Sequence, residues 1–317
     1  MPNTFSSMQQ AVMEKEYIPV RESHLNYYRA IPLYYLNKDR SFGLYKPPGK
    51  AISEMRIDGG QYPDKLYIKN TDKLRSIHEV QREFNKQLEG NIKSGNPDSV
   101  KDILVNIVEE TFSEPRSGSV QGLSETVNIL VSDYARESNI LTSILNLSQN
   151  DYTSALHSVN VMALAISYAA QANYSLADKK ILGLSALLHD IGKTRISSDI
   201  LTAPRKLSEE EFNRIKAHTT IGYNILDTCR FPYAEIKLCA LQHHEKGDGS
   251  GYPRGITRIS PAAQVVGLID CYEALTNDDR PYRNAMDPLK GLTIIKDDVM
   301  AGKFNKDVFE KFAYSLL

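Results

Sequence analysis

"LLHDIGKTRI", residues 187–196, ends an apolar run with a histidine and an aspartate side by side, followed at once by a glycine and a lysine. Taking an adjacent imidazole and carboxylate out of water costs on the order of several kcal/mol unless each finds a strong partner. The run leading into the pair, "SLADKKILGLSALLHD" (175–190), has helical periodicity, and the same period holds from Val100 onward. In "SETVNILVSDYARESNILTSILNLS" (124–148) apolar residues recur at Val127, Leu130, Val131, Tyr134, Ile140, Leu141, Ile144 and Leu145. "DYTSALHSVNVMALAISYAAQA", "SEEEFNRIKAH", "YAEIKLCALQHHE" and "SPAAQVVGLIDCYEAL" continue it, with a closing pair near 286–300 and 306–316. Asp151, Ser175, Ser208 with Glu211 as a capping box, and Ser260 are the expected helix starts. The second half is expected to be an all-α bundle.

Upstream the texture changes. "AIPLYYLNKD" (30–39), "SFGLYK" (41–46) and "KLYIKN" (65–70) are short runs rich in tyrosine and leucine between turn-forming stretches, which predicts strands. "DKLRSIHEVQREFNKQL" (72–88) predicts a helix, and "GNIKSGNPDS" (90–99) a boundary. The expected division is a small α+β regulatory or input domain over 1–92, a helical connector over 93–148 and a functional helical domain over 149–317.

A chain of 317 residues with 41% hydrophobic content has material for one large or two ordinary cores. The net charge of −1 excludes a basic nucleic-acid footprint, so DNA is not an expected partner. No run approaches the length of a membrane span, and the first residues lack the apolar segment of a secretory signal. Three cysteines, Cys229, Cys239 and Cys271, suit a reducing compartment better than a disulfide framework, so the expected location is the cytoplasm.

Five of the seven histidines, His157, His189, His218, His243 and His244, fall between residues 157 and 244, within or at the ends of predicted helices. With Asp190 and with Asp270, set in a nearly apolar helix, they make a candidate set of metal ligands. Imidazole and carboxylate together suit iron, manganese, zinc or nickel. Neighbouring residues on a helix point about 100° apart, so Asp190 could bridge two ions while His189 caps one. Taken singly, His157 reads as a core histidine and the pair His243 and His244 as a helix C-terminus. His24 and His78 lie outside the bundle and are expected at the surface.

In order and spacing these residues resemble the HD-GYP subgroup of the HD-domain metal-dependent phosphohydrolases. The resemblance covers about 165 residues, from "DYTSALHSVNV" through "LLHDIGKTRI", "AHTTIGYNIL" and "QHHEKGDGSGYPRGI" to "LIDCYEALTNDDRPYR". It implies a phosphodiesterase acting on cyclic di-GMP to give linear pGpG, and in some members GMP. It implies His157, His189, Asp190, His218, His243, His244 and Asp270 as ligands of two divalent transition-metal ions, iron or manganese, with Asp190 bridging. Catalysis would then rest on Asp190 and Lys193, with attack by a hydroxide between the ions. Lys193, four residues after His189, would lie one turn on if the helix continues and would stabilise developing charge or protonate the departing 3′ oxygen.

The loop "GDGSGYPRG" (247–255) is expected to approach substrate closely through Gly251, Tyr252 and Pro253, with the Tyr252 ring stacking on guanine. Arg280 and Arg283 in "DRPYR" would take phosphate or a guanine edge. Two departures stand out. Position 153 is threonine where members with a third metal have glutamate, which favours two ions and a slow enzyme giving mainly pGpG. The segment before Arg280 is one residue longer than the usual pattern. Three functions remain open: hydrolysis of cyclic di-GMP, hydrolysis of another cyclic dinucleotide or phosphate ester, and a non-catalytic receptor whose loop docks partners such as diguanylate cyclases. The N-terminal domain resembles the small input domains that precede such modules.

Overall fold

The computed structural model describes residues 16–55, 63, 65–113, 115, 119–134, 153–203, 205–277 and 286–316. The chain divides into two compact units, one running to Lys86 and one built from the helices beyond it.

In the first unit four strands form an antiparallel sheet: β1 (Tyr17–Pro19), β2 (Leu33–Leu36), β3 (Phe42–Lys46) and β4 (Leu66–Lys69), in the order β1-β4-β2-β3. The hairpin between β2 and β3 turns at Arg40, whose φ is 66°, and the Asp39 carboxylate accepts from the Ser41 amide and hydroxyl. β1 is additional to the expected strands, because three residues ending in proline carry too little alternation to register. Leu33, Leu66 and Ile68 are buried, as are Val80 and Phe84 on the helix that follows, α1 (Lys73–Lys93). His24 is buried among the rings of Tyr27, Tyr28 and Phe84 instead of lying at the surface. Its 3-10 turn, Glu22–His24, directs it inward, which a lone histidine in a polar stretch does not announce. His78 is not among the buried residues, in line with expectation.

The second unit is helical. α2 (Pro97–Ser113) and α3 (Ser119–Tyr134) are followed, beyond the undescribed residues 135–152, by α4 (Ser154–Gln171) and α5 (Leu176–Leu188). Then come α6 (Ser198–Leu201), α7 (Glu209–Lys216), α8 (His218–Thr228), α9 (Ala234–Gln242), α10 (Pro261–Thr276), α11 (Pro288–Met300) and α12 (Lys306–Ser315). α4 packs against α2, α5, α10 and α12, and it is buried along nearly its whole length because its sequence is apolar on all sides. Ser175 caps α5, and Ser208 with Glu211 forms the capping box of α7. Ser260 occupies the cap position of α10 without a capping hydrogen bond from its side chain, and Pro261 opens that helix. α4 starts later than the expected Asp151: Thr153 is its cap, accepting from the Leu156 amide at 3.1 Å. Among the described residues no helix is long and apolar enough to cross a membrane.

Candidate metal centre

α5 ends at Leu188, and His189 is its C-terminal cap. The chain then tightens into a 3-10 segment, Ile191–Arg195, so the expected extra turn of α-helix does not form. Gly192 permits a close approach, since a Cβ there would lie 1.9 Å from the His218 carbonyl oxygen. That approach lays the HD segment against the start of α8. Lys193, three residues from Asp190 along this segment, donates to Asp190 Oδ2.

His157 comes from the first turn of α4, His218 from the start of α8, His243 and His244 from the end of α9, and Asp270 from α10. The structure brings all of them together with His189 and Asp190. Ligand atoms of Asp190, His218, His243 and His244 lie within 4.8 Å of one another, as do those of His157, His189 and Asp190, and those of His189, His243 and Asp270.

Asp190 is 1% exposed, and its two oxygens face different imidazoles. Oδ1 lies 3.2 Å from His218 Nε2 and 3.8 Å from His243 Nε2, while Oδ2 lies 3.4 Å from His189 Nε2 and 3.6 Å from His157 Nε2. Asp270 also reaches both sides, with Oδ1 at 3.1 Å from His157 Nε2 and Oδ2 at 3.9 Å from His244 Nδ1.

The opposite nitrogens of the rings fix the tautomers. His189 Nδ1 is 2.6 Å from the Ala186 carbonyl, His218 Nδ1 is 2.6 Å from the Ile215 carbonyl, and His243 Nδ1 is 3.1 Å from the carbonyls of Cys239 and Ala240. A carbonyl only accepts, so these Nδ1 atoms carry the protons and the Nε2 lone pairs point inward. The consequences are visible. His218 Nε2 and His243 Nε2 stand 3.2 Å apart, His189 Nε2 is buried without a hydrogen-bond partner, and Asp190 Oδ1 has none either although His218 Nε2 is beside it. Converging lone pairs and carboxylate oxygens repel one another unless a cation sits among them, so the donor set fits transition-metal ions.

Electrostatics agree. Burial alone would raise the pKa of Asp190, but the Lys193 ammonium and His189 hold it well below the usual carboxylate range. Asp270 is likewise lowered against burial, through its contact with His157. Burial, reinforced by neighbouring imidazoles, pushes His243 well below an ordinary histidine, and burial takes His244 to about 3. At His157 burial is outweighed by Glu273 and Asp270, which lift it to about 9. Acceptors that favour positive charge on that ring favour a cation at its Nε2.

Glu273 is a candidate site residue outside the expected set. It lies 2.6 Å from His157 Nδ1 and also accepts from Asn160, so it orients the ring as carboxylates do for metal-bound histidines. Its one signal in the sequence is its place three residues after Asp270, on the same face of α10. Glu245 also lies outside that set. Its carboxylate accepts from the amides of Arg254 and Ile256, which ties the 247–255 loop to the histidine pair. Gly251 is needed there, because a Cβ would lie 2.5 Å from the His244 carbonyl oxygen. The Tyr252 ring stacks on His244, with centroids 4.6 Å apart and planes at 29°, and the Lys216 ammonium is 5.7 Å from its centroid. That arrangement leaves at most one face for a base. Pro253 is exposed. Arg280 and Arg283 lie outside the described residues.

The HD-domain family profile matches residues 131–308, more than half of the chain. A cyclic di-GMP phosphodiesterase of Pseudomonas aeruginosa is 34% identical over 191 residues, which cover 60% of this chain and 45% of that protein. The 3'3'-cGAMP-specific phosphodiesterase 3 of Vibrio cholerae is 34% identical over 210 residues, 62% of this chain and 45% of that protein. The chain thus spans less than half the length of these curated relatives. An HDG"Y"P protein from Bdellovibrio bacteriovorus shares the fold, with a TM-score of 0.64 and 19% identity over 95% of this chain and 99% of that one. The adjacent His189 and Asp190 at the centre of the cluster are the pair for which an HD domain is named, and the chain belongs to the HD-domain family, with the motif order of its HD-GYP subgroup.

Proposed function

We propose that the chain is a metal-dependent phosphodiesterase that hydrolyses cyclic di-GMP to linear pGpG. The observation that carries this reading is the division of the Asp190 carboxylate between two sets of imidazoles, His157 with His189 and His218 with His243. Two divalent transition-metal ions, iron or manganese, would supply Lewis acidity and a water acidified toward neutral pH. The remaining work falls to the chain. Asp190, Asp270 and His244 would hold the ions together with the other imidazoles, and Glu273 fixes the proton of His157 at Nδ1. Lys193 keeps a positive charge beside Asp190, where it would stabilise charge developing on phosphate and give a proton to the departing 3′ oxygen. Gly251, Tyr252 and Pro253 form the loop wall toward the base, with Arg280 and Arg283 as phosphate or base contacts.

The equal identity to a 3'3'-cGAMP-specific relative supports a second reading, with that dinucleotide as substrate. Initial rates on both dinucleotides, with chromatographic separation of products, decide between them. Binding without turnover of either, at full metal loading, would leave the receptor reading. The exposed Arg254 and Gly255 make the 247–255 loop the proposed docking edge for a diguanylate cyclase. Three free cysteines support a cytoplasmic location.

A further inference from the structure

The first unit contains an open cleft of about 610 Å³, within the range of small-molecule sites. One wall is the face of α1 bearing Arg75, Glu79, Arg82 and Glu83, spaced so that their side chains share one side of the helix. The other wall is the backbone around Arg29 and Gly49. Gly49 has φ +86°, and a Cβ on it would meet nothing within 4 Å, so this wall is open to a ligand.

Glu79 is the unusual member. It is 8% exposed, and its Oε1 accepts from the backbone amides of Arg29 and Ala30 at 2.9 and 2.8 Å. Its Oε2 is buried and has no hydrogen-bond partner. A buried acceptor left unmet is costly, and a donor supplied by a ligand would meet it. The cations of the cleft divide as well. Arg75 is engaged by Asp72 at 2.9 Å, whereas Arg29 and Arg82 have no carboxylate within ion-pair distance among the described residues. Two guanidinium groups outside any ion pair among the described residues, Arg29 acting on Glu54 only at a distance, stand beside one buried acceptor and describe a ligand with a phosphate at one end and an N–H donor at the other.

We infer that this cleft binds a purine nucleotide, its phosphate on Arg29 and Arg82 and an N–H of its base on Glu79 Oε2. The site is independent of the metal centre, since every wall residue belongs to the first unit.

The test uses the full chain, with GMP, AMP and inorganic phosphate as probes in calorimetry and hydrogen exchange. GMP or AMP should slow amide exchange over residues 75–83, and should do so equally in the Asp190→Ala chain. Arg82→Ala should weaken nucleotide binding at least tenfold while leaving metal content and basal hydrolysis unchanged. Glu79→Gln retains the oxygen that accepts from Arg29 and Ala30 but presents an amide donor in place of Oε2. It should weaken nucleotide binding at least tenfold and leave the weaker binding of inorganic phosphate as it was. Nucleotide affinity unaltered by both variants, or protection confined to residues 189–252, overturns the inference. Equal loss of phosphate and nucleotide binding in Glu79→Gln overturns the role of the base.

Discussion

Lys46 in the first unit and Asp190 in the second are both buried charged side chains, at 0% and 1% exposure, and their partners differ in kind. The Lys46 ammonium donates to the carbonyls of Arg29, Pro47 and Lys50 at 3.3, 3.2 and 3.1 Å, so its donors are spent on backbone. Burial pushes its pKa down, and Glu79 opposes the shift. Asp190 faces side chains that are themselves titratable, and four imidazole nitrogens surround it, those of His189, His218 and His243 with lone pairs turned inward. A charge closed by peptide groups is a structural fixture, while a cluster of acceptors facing one another is incomplete without cations. The difference separates buried polarity that serves the fold from buried polarity that serves chemistry.

Asp190→Ala breaks the second kind outright. Purified wild type should hold close to two transition-metal ions per chain by elemental analysis, and the variant close to none, with hydrolysis below detection. Lys193→Ala is the next test, because Lys193 touches the cluster without belonging to the ligand set. It should retain both metals and lose roughly 10² in kcat, the scale of one electrostatic group acting on the transition state. Retention of full activity would return Lys193 to the role of a counter-charge for Asp190.

Glu273→Gln sharpens the comparison further by changing a residue one step removed from the lone pairs. Replacing the carboxylate at His157 Nδ1 weakens its hold on the ring, and metal affinity should fall roughly 10 to 100-fold. Metal titration of the folded variant checks this, with circular dichroism as the control for fold.

How much of the molecule is legible in its sequence follows from the physics of each signal. The seven candidate ligands sit in or at the ends of helices with recognisable spacing, so His157 through Asp270 stand out as a set from the order of residues alone. Glu273 gives only its spacing from Asp270 as a signal, because one acid near the end of a helix is ordinary until the residue across the bundle is known. The path of Lys193 departs from the continued helix for a similar reason: the chain turns where Gly192 comes into close contact with the His218 carbonyl, a partner distant in sequence. In the first unit β2, β3 and β4 are legible from composition, but the burial of His24 and Lys46 is not, because His24 is closed in by Phe84 far along the chain and Lys46 by backbone carbonyls that only the folded loop brings to its ammonium.

Thr153 tests whether the edge of the cluster behaves as fold or as chemistry. Its hydroxyl accepts from the Leu156 amide and so acts as a cap. Thr153→Ala should lower unfolding free energy by about 1 kcal/mol, the usual cost of losing a cap, and leave metal content at its wild-type value. A drop in metal content with little change in stability would reassign Thr153 to the site.

The effect most confined in its conditions belongs to His24, a buried histidine of the first unit set among aromatic rings. Burial, aided by the positive charge of Arg21, lowers its pKa to about 4, against 6.5 for an ordinary histidine. Between those values the unfolded chain binds a proton that the folded unit refuses. Stability therefore falls as pH drops from about 6.5 to about 4, and this contribution is flat above that window. Hydrogen exchange of the β2 and β4 amides should show the first unit opening more readily across that range. His24→Phe retains a ring among Tyr27, Tyr28 and Phe84 and removes the titration, so its pH dependence should be shallower than that of the wild type. An unchanged slope would mean that other groups of the first unit carry the acid sensitivity, and that His24 accepts a proton without opening its core.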